Sequence, residues 1–184
     1  MSASVPDRHR MENGIELVVE PMIGAKSVVL AFRFTCGAMD EPADRLGTAR
    51  VAEDTLFKGT PSKDARDIYN AFDAMGIRRG SATSVENTDF QAQMLTRNFG
   101  DALGLYSEIF REASFPDDQV EISKALALEE LKRLEDNPIQ KVLYLTYTTA
   151  LGDPMGRIPI GNAESVPKIT PTDVRNFWGE NCAP

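Results

Sequence analysis

Apolar residues in this chain first recur at every second position and later at every third or fourth, and that change of period limits the folds open to it. Val28, Leu30, Phe32 and Phe34 alternate with Val29, Ala31, Arg33 and Thr35, which predicts a strand burying one face fully and the other in part. Phe90, Ala92 and Met94 alternate with polar neighbours in the same way, and the run from Ile77 to Ala82 pairs with them through a turn at Glu86-Asn87. Earlier still, Asn13-Gly14 precedes Ile15 to Glu20 and supplies the two positive-φ positions of a tight hairpin. Helical spacing enters at Ala65, Ile68, Phe72 and Met75, with Ser62 as cap and Gly76 as stop. It then dominates. Asn98 caps a helix through Phe99, Ala102, Tyr106 and Phe110; Asp117-Asp118 opens a longer one to Asn137-Pro138; Ile139 to Leu151 follows, ended by Gly152 and Pro154. Thr170-Pro171-Thr172-Asp173 has the features of a capped helix start. Hairpins first and helices afterwards define an α+β chain, an antiparallel sheet of hairpins packed against a block of helices. At 184 residues, one domain spanning 1–184 is the expectation.

Charge and composition remove several classes of function. With 28 acidic against 20 basic residues the net charge is −8, and no basic stripe interleaves with aromatics, so nucleic acid is excluded as a partner. No apolar run is long enough to span a bilayer. Met1 to Arg10 has basic residues with no apolar core behind them, so no secretory signal is expected and the cytoplasm is the simplest address. Cys36 and Cys182 lie far apart with no second pair at metal spacing; nothing else indicates an oxidising compartment, and a structural disulfide is not expected.

The chemistry-bearing stretch is Arg50-Val51-Ala52-Glu53-Asp54, followed by Leu56-Phe57-Lys58-Gly59-Thr60. On a helix Arg50, Glu53 and Asp54 share one face while Val51 and Leu56 turn inward. Such a face is either an ion-pair cluster or an altered catalytic site. His9 is the single histidine and reads as a plain surface or strand residue. Glu53, Asp54 and the pair Glu129-Glu130 could form an all-oxygen cluster, which suits magnesium or calcium and binds zinc poorly. There is no phosphate loop, and Gly80-Ser81 lacks the second glycine and the histidine a serine hydrolase needs. Glu135-Asp136 reads as a solvated helix end.

At Leu56 to Thr60 the chain resembles the N-terminal half-domain of the pitrilysin/insulinase family of zinc peptidases, the inverzincins, in which His-x-x-Glu-His precedes a similar run. Asn13-Gly14 with Leu17 to Pro21, Gly37 to Pro42, Thr83 to Thr88, Leu128 to Leu131 with Glu135 to Pro138, and Gly156-Arg157 with Ile160-Gly161 extend the likeness over nearly the whole chain. The resemblance implies that family's α/β roll. It places Arg50 and Asp54 where the family has its zinc-binding histidines, Glu53 where it has the glutamate that activates water, and Glu130 where it has the distant ligand. A guanidinium at a ligand position repels the ion it should bind. Zinc is therefore expected to be lost, leaving no metal site, no cofactor and no intact catalytic set. Gly80, Ser81 and Ala82 fall where the family has an Asn-Ala-aromatic segment on the strand that takes substrate peptide by strand addition, and they lack its aromatic wall.

Three readings follow from the resemblance. The first is a non-catalytic homologue that partners an active family member with an intact motif and assists peptide binding. The second is a peptidase using an ion on Glu53, Asp54 and Glu130. The third is a structural assembly module. The family's half-domain normally continues past the position of Pro184, so the chain is expected to be short of the family at its C-terminal end and to cover the exposed edge by self-association or with a partner.

Overall fold

The computed structural model describes residues 6–182. Met1 to Val5, in the stretch read for a secretory signal, and the C-terminal Ala183-Pro184 lie outside the described residues. Strands β1 (Asp7–Arg10) and β2 (Glu16–Val19) form the expected hairpin, with Arg10 facing Glu16 and His9 facing Leu17. They make a separate two-stranded sheet. Strand β3 (Ser27–Phe34), helix α1 (Thr48–Thr55), helix α2 (Ala65–Ala74), strand β4 (Arg78–Thr83) and strand β5 (Thr88–Leu95) follow. The second sheet has the order β3-β5-β4, antiparallel throughout, with Phe32 opposite Phe90 and Ser81 opposite the same Phe90. Helices α3 (Phe99–Glu112), α4 (Asp117–Glu135), α5 (Pro138–Leu151) and α6 (Pro171–Phe177) complete the chain, which is the mixed α+β architecture expected.

Most caps follow the sequence. The Asn137 carboxamide accepts from Gln140 N with Pro138 at the first helical position, and Thr170 and Asp173 form a reciprocal capping box on α6. Two assignments are corrected. Asp64, not Ser62, caps α2, because Asp67 answers it across the first turn while the Ser62 hydroxyl is taken by Glu108, 2.7 Å away. Asn98 stands before α3 but makes no cap bond; its side chain donates to the Met75 carbonyl at 2.6 Å and ties the end of α2 to the start of α3.

The core is aromatic. Phe57, Phe72, Phe90, Tyr106 and Phe110 are buried, and their rings meet at centroid distances of 5.2 to 6.0 Å. Each such side chain contributes roughly 2–3 kcal/mol by leaving water. Strand β3 is less buried than its pattern suggests: Val28, Leu30, Phe32 and Phe34 are half-buried and their alternates exposed, because β3 is an edge strand, whereas Phe90, Ala92 and Met94 opposite them on the central β5 are buried. Helix α5 has no buried residue, and Ile139, Val142, Leu143, Leu145 and Tyr147 are all more than half exposed. Leu17 and Val18 of the first hairpin are similarly open.

The cysteine reading is overturned. Cys36 and Cys182 form a buried disulfide across a sequence separation of 146 residues. A π-helical turn at Trp178–Cys182, continuing α6, returns the C-terminal segment to the end of β3. Separation along the chain had concealed a proximity that only the packing of α6 creates. Among the described residues no helix is long and apolar enough to cross a membrane.

Candidate functional site

Helix α1 is held at its start before it presents any chemistry. Gly47 precedes it at φ 99°, a left-handed conformation, and a Cβ there would lie 2.7 Å from the Ile160 carbonyl oxygen. Glu41, 4% exposed, accepts from Gly47 N at 2.9 Å and from Ala49 N at 2.8 Å with its two carboxyl oxygens. Those are the free amides of a helix N-terminus, satisfied by a carboxylate. Burial nonetheless pushes the Glu41 carboxyl up to about 8, outweighing the two amides that favour its charged form. The loop carrying Glu41 is fixed in turn: Ala38 N and Met39 N donate to the Ser84 and Val85 carbonyls, and Arg157 Nη1 donates to the Ala38, Met39 and Glu41 carbonyls at 3.0, 3.2 and 2.7 Å.

One turn on, α1 meets β4 and α4. The Arg50 guanidinium lies 3.3 Å from Glu53, 4.0 Å from Asp54 and 3.5 Å from Glu130 of α4. Glu129, its neighbour in sequence, is exposed and stays outside. Glu53 is 6% exposed and also accepts from the Ser81 hydroxyl and, at 3.4 Å, from the Thr83 hydroxyl. Asp54 accepts from Ser123 at 2.5 Å, and Ser123 accepts from Thr55 at 3.0 Å. Burial raises the Glu53 carboxyl above the ordinary carboxylate range; Arg50 and the two hydroxyls pull it back only in part.

Strand β4 forms the open side of the site. It is an edge strand, and its alternation places Arg79, Ser81 and Thr83 on one face. Ser81 and Thr83 close on Glu53, while Gly80 and Ala82, on either side of Ser81, are exposed. Beside Ser81 a cleft of about 280 Å³ is lined by Phe57, Arg79, Gly80 and Ser81. The structure thus brings Arg50, Glu53, Asp54 and Glu130 together and sets Gly80 and Ser81 next to them. Sequence reasoning missed Glu41, Thr83, Ser123 and Arg79. Counting two positions either way from Ser81 along a strand would have found Thr83 and Arg79; Glu41 and Ser123 carry no local signal.

As a donor set the cluster does not suit zinc. It has no imidazole, and a permanent cation lies among its carboxylates, where a second cation would be repelled. Among the described residues no group of three or more His, Cys, Asp or Glu is arranged to hold a metal ion.

The family model for insulinase, peptidase family M16, matches residues 17–160, and the chain belongs to that family. An uncharacterized zinc protease of Mycobacterium tuberculosis is 30% identical over 177 residues, covering 96% of this chain and 40% of the relative. A probable mitochondrial-processing peptidase subunit beta of Arabidopsis thaliana is 27% identical, covering 91% of this chain and 32% of the relative. Two solved structures share the fold: a peptidase M16 inactive domain from Pseudomonas fluorescens (TM-score 0.87, 20% identity, covering 95% of this chain and 43% of that one), and the first half of the periplasmic protease PqqL from Escherichia coli (TM-score 0.85, 22% identity, 96% and 40%). The chain spans about 40% of the length of the mycobacterial relatives it matches.

Proposed function

We propose that this chain is a non-catalytic half-domain of the M16 family that pairs with an active subunit bearing an intact His-x-x-Glu-His motif and helps to hold extended peptide for it. The observation that carries the reading is the Arg50 guanidinium lying among Glu53, Asp54 and Glu130, at 3.3, 4.0 and 3.5 Å. A positive charge that the family supplies with zinc is here built into the chain, so the carboxylates are compensated without a Lewis acid and Glu53 has no metal-bound water to activate. The retained edge strand, with Gly80, Ser81 and Ala82 open to solvent, supports the peptide-holding role. Exposed apolar side chains on α5 and on the first hairpin support pairing with another half, or with a second copy, that covers them. The likeness to an M16 inactive domain agrees with this assignment.

Metal analysis and a peptidase assay test it. The purified chain is expected to carry no stoichiometric zinc and to leave peptides uncleaved until an active family member is added. About one tightly bound zinc per chain, or cleavage by the chain alone that Glu53→Gln abolishes, would overturn the proposal. A peptidase built on an ion at Glu53, Asp54 and Glu130 would need Arg50 turned away from those carboxylates, and it is turned towards them. An assembly module with no peptide role is separated by direct binding of extended peptides. The Cys36–Cys182 bond favours an oxidising compartment over the cytoplasm.

A further inference from the structure

The cleft beside Ser81 has a chemistry that the Arg50 cluster does not share. Arg79 lies over three rings, its guanidinium carbon 4.5 Å from the Tyr69 centroid, 4.8 Å from Phe57 and 4.9 Å from Phe72. Lys58 Nζ is 3.3 Å from the Tyr69 hydroxyl and 5.4 Å from its ring centroid. Among the described residues neither cation is paired with a carboxylate, whereas Arg50 and Lys63 nearby both are. Burial alone would raise the Tyr69 phenol, but Arg79 and Lys58 outweigh it and hold the phenol below its ordinary value. Two cations without a carboxylate partner thus flank one phenol.

Stacking uses the faces of a guanidinium; one edge of Arg79 reaches the Tyr69 hydroxyl, and its other in-plane N–H donors keep the fork that matches a carboxylate. Arg79 and Ser81 stand two residues apart on an edge strand, so they line one face, and both line the cleft. A peptide strand lying along β4 would set alternate side chains against that face. Towards Thr83 the face offers no free cation, because Arg50 is already held by Glu53, Asp54 and Glu130. A negative side chain is therefore favoured at the Arg79 end and not at the other.

We propose that this cleft, together with Tyr69 and Lys58 next to Arg79, selects a peptide bearing an acidic side chain, whose carboxylate is bound by Arg79 and Lys58 against Phe57 and Tyr69. This rests on the peptide-holding reading above and names the class of peptide held.

Fluorescence anisotropy with short extended peptides tests it on the full chain. One series carries Glu, Gln or Lys at a central position with an amidated C-terminus; a further peptide carries Gln there and a free C-terminal carboxylate. The Glu peptide is expected to bind about tenfold tighter than the Gln peptide, with the Lys peptide weakest and the preference shrinking as salt rises. Lys58→Gln, at a partly exposed position, and Arg79→Gln should each reduce the Glu preference severalfold. Lys58→Gln keeps the test valid if the aromatic stack fails to fold without Arg79. Equal binding of Glu, Gln and Lys peptides would overturn the acidic preference and leave peptide holding intact. A gain seen only with the free terminus would overturn the side-chain assignment. No binding by any peptide would overturn both the preference and the reading beneath it.

Discussion

Two glutamates on either side of the start of α1 are buried to the same degree and serve opposite purposes. Glu41 is 4% exposed and Glu53 is 6% exposed. Glu41 spends both oxygens on backbone amides, so its environment fixes the position of a helix and leaves no free acceptor directed at a ligand. Glu53 is surrounded by side chains, Arg50, Ser81 and Thr83, each of which a few substitutions could exchange without disturbing the backbone. Burial raises both carboxyls. The difference lies in what compensates them: main-chain dipoles cannot be removed by mutation, whereas a guanidinium can replace a metal or be replaced by one. Exchange of the side chains around Glu53 is therefore expected to leave the fold intact, provided that the Glu41 end is untouched.

The sharpest way to break this contrast is chemical. Arg50→His together with Asp54→His rebuilds two imidazoles around Glu53 and Glu130, and the doubly substituted chain is expected to take up one zinc by metal analysis where the parent takes up none. Absence of uptake would mean that more than the ligands has been lost. Between the end of β3 and the turn after α6, reduction of the Cys36–Cys182 bond, or Cys36→Ser, is expected to lower unfolding stability by about 4 kcal/mol in denaturant titration, because a bridge over 146 residues strongly restricts the unfolded chain.

Glu41→Ala leaves two buried amides at the start of α1 without acceptors and should cost about 2–4 kcal/mol. Its pH dependence has a definite sign. A carboxyl raised from 4.5 to about 8 binds more protons folded than unfolded between those values, so its contribution is full below 4.5 and is lost as pH rises towards about 8. Glu41→Ala should therefore cost more at pH 5 than at pH 8, and a cost that grew with pH would show that the amides, not burial, control the group. Arg50→Met should cost less, about 1–2 kcal/mol by thermal or denaturant unfolding, because Asp54 and Glu130 retain solvent. The smallest change is expected from Tyr106→Phe. The Tyr106 hydroxyl is buried without a hydrogen-bond partner among the described residues, and burial pushes it up to about 12. Removing it should leave stability unchanged or raise it by up to about 1 kcal/mol.

Elements were legible wherever local rules decide them. Asn137-Pro138 and Thr170 to Asp173 set cap geometry within four residues, and both caps form; at Asn13-Gly14 the hairpin forms through a longer loop with positive φ at Gly14 and not at Asn13, a correction to the two-position turn. Ser62 failed as a cap because a second candidate, Asp64, stood two residues away and had a reciprocal partner in Asp67. Strand β3 kept its alternation and lost its expected depth, since burial depends on a strand's place in its sheet and not on its own pattern.

For the site, sequence alone determined which side chains share the face of α1, because helical spacing places Arg50, Glu53 and Asp54 together whatever surrounds them. Resemblance carried Glu130 and Ser81 to its vicinity without saying how they would be engaged. Tertiary structure decided the rest: that Arg50 turns into the carboxylates, that Ser123 holds Asp54, that Cys36 meets Cys182, and that Arg79 settles on the rings of Phe57, Tyr69 and Phe72. Each of these contacts, apart from the pairs within α1, joins segments brought together only when the aromatic core closes. Local spacing encodes the turns and faces of a chain, and packing selects which faces meet.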